Sequence, residues 1–405
     1  MVTQQNHQEK PLKILITNNT LNYRAGSELY VRDLASALAK HGHAVSAYSN
    51  VIGPVGQEIR ALGIPVLDSL SQVPFRPDII HGQHHLETMT ALFHFSDVPA
   101  VYFCHGFVPW EEIPPTHPRI ILYAAVDEPT RLSCIGRYGT PRDRTRLILN
   151  FVDLDRFTPR SPLPRTPHRA LVFSNQAREQ TYVSIVREAC IQAGLEVNVA
   201  GAASGSATES PETLLGRYDI VFAKARCALE ALAVGTAVVL CDEIGIGPMV
   251  STDSFHELRQ KNFGRLTLDT PFSVDALRAR IEAYNAEDAA EVSLVIRSEA
   301  SLEGTLPSIV DLYRQAIAGG NSHRTALHEE SLAAARYVRM LSDSIKNVPR
   351  HGEEPMGLWK SFARQAEELD SLRNSFSFRF RERLRAVPVL RSLVGGIAHI
   401  GRKWV

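Results

Sequence analysis

The sequence predicts two tandem open α/β domains followed by a helical, basic extension. Three observations carry this reading. Short apolar runs alternate with amphipathic helical stretches that stop at glycine, the signature of strand–helix–strand crossovers. The rhythm pauses at the proline-rich SPLPRTPHR, residues 161–169, and restarts at Ala170. It ends near residue 320, where longer helical patterns take over. The expected divisions are therefore 1–160, 161–320 and 321–405. A length of 405 residues accommodates two domains and an appendage.

In the first domain, Leu12 to Thr17 reads as a buried strand. A polar loop, NNTLNYRAGSE, leads to a helix from about Ser27 to His41, with Leu29, Val31, Leu34 and Leu38 on its buried stripe. Gly42 ends it, and Val45 to Tyr48 is the next strand. Gly26 stands just ahead of this helix. Either it lets backbone N–H groups approach a phosphate or sugar, or it only makes the turn. A short helix near Gln57 to Leu62 follows, then strands at Pro65–Leu67, Asp78–His81, Ala100–Phe103 and Ile120–Ala124, and a helix at Glu128–Tyr138.

Two strands end near histidine, His81 and His105. A polar group at a strand's carboxyl end lies on the ligand edge of an open sheet. His105 precedes Gly106, which leaves room beside the imidazole for a proton transfer or an anionic ligand. A histidine satisfied by local backbone is the alternative. The cluster His81, His84, His85 lacks a helix and an acidic partner at metal-ligand spacing, so no metal site is expected.

The second domain begins with a strand at Ala170–Phe173, a helix at about Thr181–Ala193 and a strand at Leu195–Ala200. The central stretch is DIVFAKARCALEALAVGTAVVLCD, residues 219–242. It reads as strand, helix, glycine stop at Gly235 and second strand. The helix start faces the strands' carboxyl edge, where phosphate or ribose binds, and Glu230 is the helix's only carboxylate. EIGIGPMVS, 243–251, reads as a glycine loop on the same edge, making Gly245 and Gly247 donor-site candidates.

Composition is that of a soluble globular enzyme, with 44% hydrophobic and 22% charged residues. The formal net charge of zero gives no global field for nucleic acid. Five scattered cysteines without a CxxC pair fit reduced core thiols in a cytosol. The opening MVTQQNHQEKPLK has no apolar signal core, and no window reaches about 18 apolar residues.

Five stretches, in order, resemble the GT-B glycosyltransferases, specifically the large retaining family that uses nucleotide-sugar donors (family 4, or group 1). RAGSELYVRDLASALAKHGHAV is similar to that family's first glycine loop and helix. DIIHGQH and VYFCHG resemble its strand-end histidines, and LNFVDLDRFTP its NGVD-x-x-x-F-x-P connector. ALEALAVGTAVVLCD resembles its donor-site helix. The resemblance spans roughly residues 12–320. It implies two Rossmann-like domains facing a cleft. Gly26 would then approach the donor phosphates or sugar, His105 would lie at the reacting sugar, and Glu230 would accept from the ribose hydroxyls. Retention at the anomeric carbon is implied by the resemblance alone.

Two departures stand out. The family carries a second glutamate eight residues before the ribose glutamate; here that position is Phe222. It also places an Arg and a Lys after the second domain's first strand, where VFSNQAREQTY offers Arg178 but no lysine. Arg178, with Lys224 or Arg226 at the helix start, is the substitute for neutralising a diphosphate leaving group.

In the extension, Ala326–Lys346 and Leu358–Arg373 have helical periodicity. The closing SFSFRFRERLRAVPVLRSLVGGIAHIGRKWV interleaves arginine with apolar residues. It is similar to the segment ending many bacterial polysaccharide enzymes and suits an anionic membrane surface. A solvated or partner-binding basic tail is the alternative, and no base-reading module accompanies it.

The expected activity is transfer of a sugar, of hexosyl type, from a nucleoside-diphosphate sugar to a hydroxyl of a cell-surface glycan or lipid-linked acceptor. No metal or other cofactor is expected, and the location would be cytoplasmic or at the inner face of the plasma membrane. The alternatives are a non-catalytic nucleotide-sugar-binding subunit of a glycan assembly complex and a sugar-nucleotide epimerase of the same fold.

Overall fold

The computed structural model describes residues 10–322 and 327–346. The expected helix at 358–373 and the basic tail lie outside the described residues. Contacts divide the chain into a large unit, Met1–Ala333, and a second unit from Ala334 onward.

The first half of the large unit runs β1 (Lys13–Thr17), α1 (Gly26–Lys40), β2 (Ala44–Tyr48), α2 (Pro54–Ala61), β3 (Val66–Leu67) and β4 (Ile79–Gln83). It continues with α3 (His85–His94), β5 (Ala100–Cys104), β6 (Ile120–Ala125), α4 (Glu128–Gly136) and β7 (Thr145–Leu147). The strands form one sheet in the order β3-β2-β1-β4-β5-β6-β7, all parallel. Helices cover both faces of such a sheet, so its strands are continuous apolar runs rather than alternating ones. Ile14, Leu15 and Ile16 are accordingly all fully buried. Strand order reverses between β1 and β4, which makes their carboxyl ends a topological switch point.

The second half contains β8 (Arg169–Phe173), α5 (Ser184–Gln192), β9 (Glu196–Ala200), α6 (Pro211–Leu215), β10 (Ile220–Ala223), α7 (Ala225–Val234) and β11 (Ala237–Asp242). β12 (Gly245–Met249), α8 (Thr252–Gln260), α9 (Val274–Glu282) and α10 (Ala286–Glu299) complete it. The sheet order is β12-β11-β10-β8-β9, with a switch point between β8 and β10. α7 ends as its sequence dictates. Gly235 takes φ +94°, and its N–H reaches the carbonyls of Ala231 and Leu232.

Four expectations change. Residues 243–251 are not a loop: β12 pairs antiparallel with β11, Cys241 opposite Ile246 and Val239 opposite Met249. The free edge of β11 supplies hydrogen-bond partners that the glycine-rich composition concealed. Strand β4 runs two residues past His81, so that side chain lies in the core. It stacks on Phe103 at 4.0 Å and bonds the Tyr313 hydroxyl at 2.7 Å. The histidine-rich stretch after β4 opens a true helix, α3. Finally, α11 (Leu302–Ser322) packs back on the first sheet, with Leu306, Ile309, Tyr313 and Ala316 in that core. The second domain's own core thus stops short of residue 320, because this helix buries its apolar face where α1 leaves room.

α12 (Leu327–Lys346) is the last described helix. Near its start Glu330 meets Arg119 at 3.1 Å, and Arg119 also holds the carbonyls of Leu92, Phe95 and Val98. Among the described residues no helix is long and apolar enough to cross a membrane.

Candidate functional site

Both sheets offer their carboxyl ends to one region, and side chains from α1, β5 and α7 meet there. α7 begins directly after β10, and no side chain caps its start. Its first residue, Ala225, adopts φ +48°, and its N–H is held by the Phe263 carbonyl at 2.8 Å. A non-glycine residue in this conformation costs roughly 1–2 kcal/mol, the kind of strain that persists where surrounding structure fixes a functional turn. α1 also starts without a side-chain cap. A Cβ at Gly26 would meet nothing within 4 Å, so that helix start faces open space.

Glu230 lies one turn into α7 and is 4% exposed. Its Oε1 accepts from Arg226 Nε at 2.8 Å. Its Oε2 has no partner among the described residues. Burial raises the Glu230 carboxyl above its ordinary range, and the Arg226 charge offsets this only in part. Arg226 itself is shared between domains, since its Nη2 donates to Oδ2 of Asp33 on α1. Asp33 also accepts from Arg32 Nε at 2.8 Å and has Arg156 Nη1 at 3.6 Å. Burial works against ionisation of Asp33, but Arg226, Arg32 and Arg156 together hold its carboxyl below the usual range. A cavity of about 770 Å³ opens beside Asp33, lined by Arg24, Arg32, Glu58, Arg156 and Glu209 among others. Neither His105 nor Glu230 lines it.

His105 follows β5 directly. Its backbone N–H donates to Glu112 Oε2 at 3.0 Å, while its ring Nε2 is enclosed and without a partner. Burial lowers this imidazole to about 4, with His84 and Arg226 contributing, so the ring is neutral near pH 7. Tyr30 of α1 stands edge-on to it at 4.6 Å, and the Tyr30 hydroxyl is likewise buried without a partner. Both polar atoms therefore keep hydrogen-bonding capacity that no described residue uses.

Glu112 also faces His84, whose Nε2 lies 3.5 Å from its Oε1. His84 sits at the first switch point with φ +58° and takes the Asn19 N–H on Nδ1 at 3.3 Å. Burial would lower His84, yet Glu112 and the nearby Glu87 raise it. Burial would raise Glu112, yet His84 and the His105 backbone N–H lower it. The three histidines of the suspected cluster therefore have separate tasks. His81 packs in the core, His84 pairs with Glu112, and His85 stands edge-on to Trp110 at 4.3 Å.

The remaining candidates fare unevenly. Arg178 is exposed, just ahead of a widened helical turn at Glu179–Val183. Lys224 does stand at the start of α7, but its ammonium pairs with the fully buried Asp242 and reaches Gln176 Oε1 at 3.4 Å. The cation expected at the helix start is thus present, with its charge matched by a carboxylate. Gly247 is dictated by packing: a Cβ there would lie 2.5 Å from the Thr267 carbonyl oxygen and 2.8 Å from Leu240 Cβ. Gly245 closes the hairpin at φ +154°, crowded by the carbonyls of Thr270 and Leu268. Both glycines are thus required by the packing of the hairpin, whatever ligand its backbone meets. Phe222 is fully buried within β10, opposite Val172 and Val239, and presents nothing to a ligand.

Asp33, Glu112, Tyr30 and His84 were not legible as site residues. Asp33 left one trace, an acid set between the apolar residues Val31 and Leu34 of α1. The others are joined to the site only by the fold.

The comparisons agree with this architecture. Residues 24–156 match the model of Glycosyltransferase Family 4. A glycosyltransferase from Rickettsia africae ESF-5 superposes with a TM-score of 0.56 at 14% identity, over 76% of this chain and 99% of that one. Sucrose-phosphate synthase from Thermosynechococcus elongatus gives 0.50 at 14% identity, over 76% of this chain and 100% of that one. No curated protein matches in sequence. With two open α/β halves and a match to the family 4 model over residues 24–156, the chain has the fold of the GT-B glycosyltransferases.

Proposed function

We propose that the protein transfers a sugar from a nucleoside-diphosphate sugar to a hydroxyl of a glycan or lipid-linked acceptor. The observation that carries this is Glu230, a buried carboxylate on α7 with one oxygen fixed by Arg226 and the other free. Such a group accepts from vicinal ribose hydroxyls while the uncapped starts of α7 and α1 offer N–H groups to phosphate. His105 stands across the cleft. Neutral, with Nε2 unpartnered, it is suited to contact the transferred sugar or the departing phosphate oxygen. The diphosphate's developing charge would fall to Arg178 and the helix starts, because Lys224 is engaged with Asp242. The basic tail sequence favours an acceptor at an anionic bilayer.

A second reading, donor binding without transfer, is favoured by Phe222 in the core and by the engagement of Lys224. Calorimetry with UDP-, GDP-, ADP- and dTDP-sugars on wild type and Glu230→Ala separates the two, with free nucleotide followed alongside. Binding of one donor, lost in the variant and accompanied by nucleotide release, supports the transferase. Binding without release, even with membrane extract as acceptor source, supports the binding subunit. A folded protein that binds none of them refutes the donor site.

A further inference from the structure

We propose that Asp33 is a positioning residue for nucleotide recognition: it holds the Arg226 guanidinium side-on to Glu230, so that one Glu230 oxygen is fixed and the other stays open to a ligand's vicinal hydroxyls. This rests on the reading of Glu230 as the ribose carboxylate.

An arginine four residues before a glutamate on one helix has a stronger option than the one observed. It can turn its planar fork onto both carboxylate oxygens in a bidentate pair. Arg226 does not. Only Nε meets Glu230, at Oε1 and 2.8 Å, while Nη2 is drawn to Asp33 Oδ2. Asp33 can impose this because it is itself immobile. It is 3% exposed, and its Oδ1 is gripped by Arg32, whose Nη1 is tied in turn to Glu58 Oε2 at 3.0 Å. Arg156 closes the third side and is anchored on Glu212 at 2.8 Å. Asp33 belongs to α1 of the first sheet and Arg226 to α7 of the second. The acceptor geometry of Glu230 is therefore set by the other half of the cleft, and a nucleotide is read correctly only when the halves are together.

Removing the Asp33 charge frees Nη2 to swing onto Glu230 Oε2. The open acceptor then disappears while the rest of the nucleotide site remains. The specific readout is discrimination between ribose and 2′-deoxyribose, which general loosening of the fold would not erase selectively. The probes are UDP, GDP and ADP, each paired with its 2′-deoxy counterpart, titrated calorimetrically into the full chain.

In wild type the best ribonucleotide should bind about tenfold more tightly than its deoxy form, as a hydrogen bond to a charged group predicts. Asp33→Asn should reduce that ratio to near one, chiefly by weakening the ribonucleotide. Arg226→Lys, which keeps the charge but cannot bridge both carboxylates, should do the same and carries the test if Asp33→Asn does not fold. In an Arg226→Gln background, Asp33→Asn should change the ratio no further.

If Glu230→Gln abolishes the discrimination while folded Asp33→Asn and Arg226→Lys retain it, the positioning role is overturned and the ribose role of Glu230 stands. If Glu230→Gln leaves the discrimination intact, or if no nucleotide binds, the reading of Glu230 fails and this proposal with it.

Discussion

Nε2 of His84 lies 3.5 Å from Oε1 of Glu112, and the other Glu112 oxygen takes the backbone N–H of His105 at 3.0 Å. One carboxylate thus ties the ends of β4 and β5 together and fixes the residue that faces the cleft. The shifts are complementary: His84 is raised and Glu112 lowered from their ordinary values. Each follows from the other's charge prevailing over burial.

Each charge therefore favours the ionised form of the other, and removing the anion should weaken proton binding by His84. In Glu112→Gln, burial of His84 is opposed only by the charges of Glu87 and Glu111, and its titration should move downward. Proton NMR titration of His84 checks this. The variant should lose about 3–5 kcal/mol of stability if His84 stays charged, and less if it neutralises.

Stability should accordingly depend on pH in two places. Glu112, with its lowered folded value, stabilises above the ordinary carboxylate range, and this is lost as pH falls through its folded value. His84, with its raised folded value, stabilises below 6.5, and this is lost as pH rises through its folded value. His105 acts oppositely to His84. Held to about 4 when folded, it costs stability as pH falls from 6.5 towards 4. Urea unfolding between pH 4 and 9 should show both limbs. In Glu112→Gln the alkaline limb should flatten.

Ala225 at φ +48° marks strain at the start of α7. Glycine takes this conformation without the Cβ penalty but is more flexible when unfolded. Ala225→Gly should stabilise the protein by about 0.5–1 kcal/mol, read as a higher urea midpoint at unchanged slope. A loss of stability would show that the surrounding contacts do not strain this residue.

Gly247 tests the correction to β12. A methyl group there would sit 2.5 Å from the Thr267 carbonyl oxygen and 2.8 Å from Leu240 Cβ, neither of which is the end of a flexible side chain. Gly247→Ala should cost about 1–3 kcal/mol as overpacking, measured by thermal unfolding, with nucleotide affinity unchanged once folded. A selective loss of nucleotide binding in a stable variant would instead return Gly247 to the ligand site.

Tyr313 and His81 join α11 to the first sheet through a 2.7 Å hydrogen bond in the core. Tyr313→Phe should destabilise by about 1–3 kcal/mol, the penalty for a buried polar partner left alone. It should leave nucleotide affinity unchanged, because this contact lies inside the sheet rather than at its edge.

Much of the fold was legible because parallel strands and their covering helices are local patterns. The run from Ile220 to Asp242 specifies strand, helix, αL stop at Gly235 and strand within one short segment. Glu230 was legible for the same reason, as the only acid on an apolar helix. The misreadings occurred where a partner distant in sequence decided the outcome. β12 formed because β11 had a free edge. Lys224 was taken up by Asp242. α11 crossed back to the first sheet to fill space beside α1.

The sequence by itself determined the two α/β halves, the helix starts aimed at their ligand edges, and the presence of His105 and Glu230 on those edges. These depend on side-chain periodicity and on turn residues a few positions apart. Only the tertiary structure decided what charges those residues feel. Asp33 is 193 residues from Arg226, and His84 faces Glu112 across two strand ends. Ionic partners carry no periodicity, and burial magnifies an interaction that the unfolded chain would screen, so the His84–Glu112 pair exists only once the first sheet has formed and the Asp33–Arg226 pair only once the two halves meet.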